Sequence, residues 1–192
     1  MYSREAENKT GMWLYTIFFV ALVVLDQLSK LAAFTSLRIN GPVRLIPDIF
    51  ELHYLENTGA AFGILRDQQW LFVVFAGVIM VLLFLLERRM VHAGAKFRPL
   101  ALICAMIAAG AAGNMIDRIF HGYVIDFLYF RLIDFPVFNV ADIYVVVGCI
   151  LLVILISFIY KDDDLAALSG KKTRADYIAD IAEKVNTSRK DD

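Results

Sequence analysis

Residues 99–127 read PLALICAMIAAGAAGNMIDRIFHGYVIDF, and the character of this stretch changes near its middle. The first half is apolar and rich in small residues, which is typical of a helix that packs closely against other helices in lipid. The second half introduces an asparagine, two aspartates and an arginine in quick succession. Charged side chains at the edge of an apolar segment are costly and usually face a bundle interior or a wet cavity. The stretch therefore predicts a spanning helix that ends at a polar site.

The composition of the whole chain supports a membrane protein. Of its 192 residues, 59% are hydrophobic and 20% are charged, whereas soluble domains are usually about 45–50% apolar. A net charge of −1 gives no indication of a nucleic-acid partner. Cys104 and Cys149 lie inside apolar runs, which favours buried structural thiols over a disulfide. The three histidines, His53, His92 and His121, have no metal-ligand spacing, and we expect neither a metal nor another cofactor.

Four apolar segments predict an all-α membrane protein, a four-transmembrane-helix bundle whose extracytoplasmic loop region could contain a small β element. The segments cover about residues 12–33, 70–86, 99–116 and 143–160, and a span needs about 17–25 residues. Residues 1–160 are thus predicted to form one membrane domain, followed by a charged cytoplasmic tail at 161–192. The first segment is too long for a signal-peptide core and carries Asp26 and Lys30, so we interpret it as retained.

The distribution of lysine and arginine predicts the orientation. Basic residues are dense in the N-terminal head, in the loop between the second and third spans, and in the tail. The positive-inside rule then places both termini in the cytoplasm and the loops at about 34–69 and 117–141 outside. In that topology the polar residues near the spans gather at one level, close to the outer leaflet surface. They are Asp26, Lys30, Asn57, Asn114, Asp117, Arg118, Asp126, Asn139 and Asp142.

Several of these groups also have simpler interpretations. Asp26 and Lys30 are four residues apart and can form an ion pair at a helix end. Asp117 and Arg118 can belong to a hydrated helix terminus, and Asn139 can cap the fourth span. Because so many polar groups share one depth, their convergence favours a functional site.

Five short motifs in a fixed order resemble one family, the bacterial lipoprotein signal peptidases, also called signal peptidase II. They are DQLSK at 26–30, NTGAAFG at 57–63, GNMIDR at 113–118, GYVIDF at 122–127 and FNVAD at 138–142. The resemblance covers about residues 12–160. One departure is Ile143, at a position where the family often has a serine and therefore a hydroxyl that can form a local hydrogen bond.

The resemblance implies a membrane aspartic endopeptidase of the bacterial cell membrane, with its active site at the outer face. It would remove the signal peptide from diacylglyceryl-modified prolipoproteins, cutting just before the lipidated cysteine. The expected partners are these substrates and membrane lipids, and we expect a monomer. By motif match, Asp126 and Asp142 correspond to the catalytic pair. The residues that match the lining or support of the site are Asp26, Asn57, Asn114, Asp117, Arg118 and Asn139.

Two carboxylates that share one proton can hydrolyse a peptide bond, because one activates water while the other polarises the carbonyl. Asp142 lies at the start of the fourth span, where the helix dipole favours a negative charge. Asp126 has the apolar neighbours Val124, Ile125 and Phe127, which favour the neutral acid. We therefore expect Asp142 to carry more of the negative charge before substrate binds.

Three other functions compete with this interpretation. Asp117, Asp126 and Asp142 could hold Mg²⁺, which prefers oxygen ligands, in a metal-dependent enzyme that acts on lipid head groups. A proton- or cation-coupled transporter is also conceivable, although transporters usually place ionisable groups near the midplane. The third is a non-enzymatic assembly factor, which cleavage by the purified protein would dismiss.

Overall fold

The computed structural model of the protein describes residues 2–59, 68–170, 177–179 and 181. Within those ranges the chain forms α-helices joined by short turns, with a small antiparallel sheet. The helices are α1 (Tyr2–Asn40), α2 (Gln69–Ala93), α3 (Arg98–His121), α4 (Val140–Ile154) and α5 (Asp162–Ser169). The strands are β1 (Val43–Ile46), β2 (Phe50–Asn57) and β3 (Val124–Phe130). A π-helical turn at Leu155–Ile159 continues α4, and 3-10 turns occupy Ala95–Phe97 and Arg131–Ile133.

Four segments of the described chain are long and apolar enough to cross a membrane. They are Gly11–Asn40, Gln69–Ala93, Ala95–His121 and Val140–Ile159. The predicted fold class is confirmed, including the small β element, and the chain is a multi-pass membrane protein. The first helix continues well beyond residue 33, where the apolar pattern stops, because its last turns pack on the sheet rather than on lipid.

Helix α3 is the central helix of the bundle and packs against α1, α2 and α4. Small residues make this possible. A Cβ added at Gly110 would lie 2.4 Å from the carbonyl oxygen of Ala141, and one added at Gly148 would lie 2.5 Å from Cγ1 of Ile107. The close packing that the small residues of this helix predict is therefore confirmed, and the α3–α4 contact requires glycine on both helices.

The sheet lies at one end of the bundle, which we call the sheet end, and its strands are ordered β1-β2-β3. Ile125 and Phe127 of β3 are buried against Ala33 and Leu37 of α1. Because successive side chains of a strand point to opposite faces, Asp126 points away from α1. Helix α1 thus supports the strand that presents this aspartate.

A single glycine turns the chain from α3 into β3. Gly122 has φ +78°, and its N–H donates to the carbonyl oxygen of Arg118. A left-handed residue after the last helical turn is a common helix stop, and glycine adopts it without the cost of a Cβ. The turn connects the end of α3, with its polar residues, directly to the strand that carries Asp126.

The opposite end of the bundle, which we call the tail end, has an apolar core. Its buried residues are Tyr15, Met90, Val91, Phe97, Leu100, Ala101, Cys104, Ala105 and Tyr160. The ring of Tyr160 stacks on Phe97 with centroids 5.5 Å apart, and its hydroxyl donates to the carbonyl oxygen of Lys96 at 2.8 Å. Cys104 is a buried free thiol as predicted, whereas Cys149 is exposed. That prediction was wrong because a lipid-facing helix surface is as apolar as a core.

Candidate active site

Asp126 is held by two asparagines. Its side chain is buried, and the residue is only 2% exposed. Asn139 Nδ2 donates to Asp126 Oδ1 at 2.7 Å, and Asn57 Nδ2 donates to Asp126 Oδ2 at 2.8 Å. Strand pairing places Leu55 of β2 directly opposite Asp126. The carboxyl group therefore has one amide donor on each oxygen and a fixed direction on its face of the sheet.

Asp142 lies in the first turn of α4, where it forms a reciprocal cap with Asn139. Asn139 Oδ1 accepts from the Asp142 N–H at 3.0 Å, and Asp142 Oδ2 accepts from the Asn139 N–H at 3.0 Å. Asn114 Nδ2 donates to the other oxygen, Oδ1, at 2.8 Å. The predicted capping role of Asn139 is confirmed. A carboxylate in this position is stabilised by the N–H groups and the dipole of the helix.

Asn114 of α3 and Asn139, which caps α4, connect the two aspartates. Asn139 is fully buried, and its Nδ2 donates both to Asp126 Oδ1 and to Asn114 Oδ1, the latter at 3.0 Å. Asn114 in turn donates to Asp142. A continuous chain of hydrogen bonds therefore runs from Asp126 through Asn139 and Asn114 to Asp142. Each amide has one orientation in this chain, because only its nitrogen can donate.

A buried ion cluster lies beside this chain of hydrogen bonds. Lys30 Nζ is 2.9 Å from Asp26 Oδ2 and 3.0 Å from Asp117 Oδ2, and it donates to Asn114 Oδ1 at 2.9 Å. The three charged residues are 0–1% exposed. The ion pair between Asp26 and Lys30 that their spacing suggests does form, but it is buried and shared with Asp117 rather than placed at a solvated helix end.

The two carboxylates of this cluster also bind the main chain. Asp26 Oδ1 accepts from the Ala141 N–H at 2.9 Å, and Asp117 Oδ2 accepts from the Ile125 N–H at 3.1 Å. Ala141 directly precedes Asp142, and Ile125 directly precedes Asp126. Asp26 and Asp117 therefore fix the backbone immediately before each of the two other aspartates. Gly113 permits this, since a Cβ there would lie 2.4 Å from Asp26 Oδ2.

Arg118 closes the site on the side of α2. Its Nη1 donates to the Asn114 carbonyl oxygen at 3.2 Å and its Nη2 to the Gly59 carbonyl oxygen at 3.4 Å. The guanidinium lies over the ring of Phe72, 4.6 Å from the centroid, a distance that suits a cation–π contact. Its buried Nε has no hydrogen-bond partner within the described ranges. The remainder of the NTGAAFG motif, residues 60–63, lies outside the described residues.

The electrostatics of the pair are asymmetric. Burial raises the pKa of Asp126 to about 7, and the neighbouring Asp142 carboxylate raises it as well. The hydrogen bonds from Asn57 and Asn139 and the charge of Lys30 oppose this rise. A carboxyl group with such a pKa is largely protonated at slightly acidic pH. The direction agrees with the expectation that Asp142 carries more of the negative charge, which stays a prediction.

All the site residues predicted from the sequence meet in this one network. They are Asp26, Asn57, Asn114, Asp117, Arg118, Asp126, Asn139 and Asp142. Lys30 belongs to the DQLSK motif but was not assigned to the site, and it contacts Asp26, Asp117 and Asn114. Gln27 was also missed, and its Nε2 donates to Asp117 Oδ1 at 3.0 Å and to the Gly113 carbonyl oxygen at 3.2 Å. Among the described residues, no group of three or more His, Cys, Asp or Glu side chains is arranged to hold a metal ion.

The fold is similar to that of two solved bacterial membrane enzymes. One solved structure, a bacterial membrane enzyme at 2.3 Å resolution, superposes with a TM-score of 0.67 at 28% identity, covering 78% of this chain and 92% of the other. A second, at 1.9 Å resolution, gives a TM-score of 0.65 at 29% identity over 77% of this chain and 94% of the other.

The particular family follows from the sequence comparisons. The family model described as Signal peptidase (SPase) II matches residues 18–158, and the chain belongs to this family of peptidases. A lipoprotein signal peptidase of Clostridioides difficile (strain 630) is 42% identical over 146 residues, which cover 76% of this chain and 95% of the relative. Another, from Streptococcus pyogenes serotype M5 (strain Manfredo), is 41% identical over 152 residues, covering 79% and 95%.

These comparisons decide between the competing interpretations at the level of the family. The resemblance drawn from the five motifs is confirmed, and the chain is a membrane protease. The alternative of a metal-dependent enzyme for lipid head groups gains no support from them. In addition, Asp117, which that alternative needs as a ligand, is already engaged by Lys30 and by the Ile125 N–H.

Proposed function

We propose that this protein is an aspartic endopeptidase that removes the signal peptide from diacylglyceryl-modified prolipoproteins, cutting just before the lipidated cysteine. Asp126 and Asp142 are its catalytic pair. The names of the relatives support the substrate class. The observation that carries the mechanism is the hydrogen-bond chain through Asn139 and Asn114, which holds the two carboxyl groups in one fixed arrangement.

The pair divides the work between an acid and a base. Asp126, with its pKa raised to about 7 by burial and by the adjacent carboxylate, is the protonated partner. Asp142 is the ionised partner, because it accepts hydrogen bonds from the Asn139 N–H at the start of α4 and from the side-chain amide of Asn114. Like charges placed close together cannot both ionise easily, so the pair keeps one proton near neutral pH.

The reaction then needs no covalent intermediate with the enzyme. Asp142 takes a proton from a water molecule as the water oxygen bonds to the scissile carbonyl carbon, while Asp126 gives its proton to the carbonyl oxygen. In the resulting tetrahedral intermediate, the proton on Asp142 passes to the amide nitrogen and the C–N bond breaks. Asp126 recovers a proton from one hydroxyl of the intermediate, which restores the starting protonation state.

The other site residues support this pair. Asn57 and Asn139 hold Asp126, and Asn114 holds Asp142. The positive charge of Arg118 acts on both carboxyl groups, and its Nε has no hydrogen-bond partner within the part of the chain that the structure describes. Asp26 and Asp117 accept hydrogen bonds from the backbone N–H groups that directly precede Asp142 and Asp126.

The membrane supplies much of the affinity for substrate. The acyl chains of a diacylglyceryl-modified cysteine remain in the bilayer, and lipid burial contributes about 0.8 kcal/mol per methylene. The site lies at the outer face of the bacterial cell membrane, with both termini in the cytoplasm. The density of basic residues in the head, the middle loop and the tail supports this orientation. We propose that the enzyme acts as a monomer, because the two aspartates and the described side chains that hold them come from one chain.

The decisive experiment is cleavage by the purified protein in detergent. A diacylglyceryl-modified prolipoprotein should yield a product whose new N-terminus is the lipidated cysteine, identified by mass spectrometry. The same polypeptide with an unmodified cysteine is the matched control and should be cut far more slowly. EDTA should leave the rate unchanged. An uncut lipidated substrate, or loss of activity in EDTA that Mg²⁺ restores, would overturn the proposal.

The orientation has its own test. A reporter fused after Tyr160 should be found on the cytoplasmic side, and one inserted near Arg66 on the external side. The opposite pattern would place the aspartates at the cytoplasmic face and would remove the argument for an outer site.

A further inference from the structure

We propose that Lys30 is a positioning residue for the reaction, a single buried ammonium group that sets the placement of both catalytic aspartates. The inference rests on the proposed function, because it takes Asp126 and Asp142 as the reacting groups. Lys30 reaches the site by two routes, one through the main chain and one through the amide of Asn114.

The first route has two matching arms. Lys30 Nζ contacts Asp26 Oδ2 at 2.9 Å, and the other oxygen of Asp26 binds the N–H just before Asp142. Lys30 Nζ also contacts Asp117 Oδ2 at 3.0 Å, and this same oxygen binds the N–H just before Asp126. One cation therefore anchors the two carboxylates that hold the backbone of α4 and of β3. The separation of the catalytic pair depends on this shared anchor.

The second route fixes an amide. Lysine can only donate, so Asn114 must turn its Oδ1 toward Lys30, which leaves Nδ2 to face Asp142. The same oxygen accepts from Asn139 Nδ2, whose other acceptor is Asp126. Without the cation, Asn114 Oδ1 keeps only the hydrogen bond from Asn139, so the orientation of the amide is held less firmly. A flipped amide would present an oxygen to the Asp142 carboxylate and would break the chain of hydrogen bonds.

Lys30 does not react itself. An ammonium group has three N–H donors, and Asp26, Asp117 and Asn114 supply three acceptors. The residue is 1% exposed, so a substrate has no access to it. Its influence on the chemistry passes through its neighbours.

The charge of Lys30 also acts on the pair at a distance. It lowers the pKa of Asp126, against the effects of burial and of Asp142. The other charged groups near Lys30 are Asp26 on α1, Asp117 and Arg118 on α3, Asp142 on α4 and Asp126 on β3. Without the Lys30 ammonium these residues together carry more negative charge, so Asp126 should keep its proton to a higher pH.

The test compares Lys30→Met, which keeps length and apolar volume, with Lys96→Met, the same change at an exposed lysine of the tail end. We expect Lys30→Met to lower kcat at least 100-fold with KM within threefold of wild type. The basic limb of its pH–kcat/KM profile should move to higher pH, a shift that a merely structural role would not produce. Lys96→Met should retain the wild-type rate and profile.

A second variant separates positioning from charge balance and guards against misfolding. Lys30→Met with Asp26→Asn restores the cluster to the wild-type net charge, and the new amide oxygen can still accept from the Ala141 N–H. We expect a folded, inserted protein whose pH limb returns toward wild type while kcat stays low, because Asn114 is still unanchored.

Three results would overturn the assignment of Lys30. They are a wild-type kcat in Lys30→Met, a rise in KM alone, and loss of fold in both variants, which would make Lys30 a folding residue. Failure of the proposed function is distinguishable, since the wild-type protein would then leave the lipidated substrate uncut.

Discussion

The two ends of the same helix bundle are built on opposite principles. At the tail end an apolar core that includes Tyr15 and Tyr160 fills the centre, and the ion pair of Lys96 with Asp164 lies at the rim. At the sheet end the centre holds Asp26, Lys30 and other charged or amide groups, and the apolar contacts lie around them. The arrangement of polar and apolar groups is thus reversed within one bundle.

The apolar core of the tail end contributes to stability, whereas the buried charges of the sheet end contribute little to it. An exposed ion pair contributes about 0–1 kcal/mol, whereas breaking a buried pair costs about 3–5 kcal/mol because a lone charge remains. A buried pair adds little net stability over apolar packing of the same volume. The tail end therefore needs its core and little else, while the sheet end retains costly groups because they hold two aspartates in a fixed geometry.

The largest effect should come from the aspartates of the sheet end. Asp126→Asn and Asp142→Asn keep shape and most hydrogen bonds but remove the proton exchange. Each should lower kcat by about 10²–10⁴-fold, and the double variant should be little worse, because one missing partner already disables the pair. Cleavage of a lipidated prolipoprotein, with substrate binding measured separately, gives the result.

Asp134 is the matched control for the variants of Asp126 and Asp142. It follows β3 in a turn, is exposed, and accepts a hydrogen bond from the Tyr129 hydroxyl, remote from the buried network. Asp134→Asn should cleave at close to the wild-type rate. An inactive Asp134→Asn beside an active Asp126→Asn or Asp142→Asn would show that the pair is wrongly assigned.

The next effect concerns the packing that encloses the charges. In Gly113→Ala the new Cβ would lie 2.4 Å from Asp26 Oδ2 and 3.3 Å from the Cβ of Ala141. Overpacking of this kind costs about 1–3 kcal/mol, and displacement of Asp26 should also reduce kcat. Thermal unfolding in detergent together with the cleavage rate measures both.

Gly77→Ala provides the comparison within the same bundle. A Cβ at Gly77 of α2 meets nothing within 4 Å, and alanine favours a helix more than glycine does. Equal or higher stability and a normal rate are expected. Similar losses in both variants would mean that the contact between Gly113 and Asp26 is not the cause.

A smaller effect should appear in the pH dependence. Asp126 must be protonated to act as the acid, so kcat/KM should fall as pH rises through its pKa of about 7. The hydrogen bond from Asn57 lowers this pKa, and its removal in Asn57→Ala should move the basic limb to higher pH. Asn40→Ala, at an exposed asparagine at the end of α1, should leave the limb in place. A limb that moves to lower pH in Asn57→Ala would contradict the assignment of Asp126 as the acid.

The smallest effect should come from the tail end. Deletion from about residue 162 onward removes α5 and the ion pair of Asp164 with Lys96, but none of the site. The cleavage rate should remain within about twofold of wild type, since exposed pairs contribute so little. Complete loss of activity in a stable, inserted truncation would show that the tail takes part in the reaction.

Much of this arrangement was predictable from the chain itself, for identifiable reasons. Apolar segments give the spans, because lipid selects for length and hydropathy. The motif residues, Asp126 and Asp142 among them, could be assigned to one level by topology alone. The cap at Asn139 was also predictable, since an asparagine before a helical run is a strong signal.

Other features depend on contacts that no local pattern encodes. Helix α1 extends to Asn40 because Ala33 and Leu37 pack on β3, a contact distant in sequence. The role of Lys30 depends on Asp117 and Asn114, which come from another helix, so its spacing from Asp26 indicated only a pair. The exposure of Cys149 could not be distinguished from burial, because lipid-facing and core positions have the same composition.

The continuous α1 helix links the thickness of the membrane to the activity of the enzyme. Apart from Ile39 near its end, the large exposed apolar side chains described on this helix extend from Trp13 to Leu31, about 27 Å at 1.5 Å per residue, close to the hydrocarbon thickness of about 30 Å. Asp26 lies roughly 7 Å inside that band, and Lys30 lies at its edge. In the proposed orientation, hydrophobic mismatch would act on the site, because a thicker bilayer would submerge the aspartates and restrict water while a thinner one would expose them. The acyl-chain length of the surrounding lipid should accordingly tune the turnover of this protease without any change in its sequence.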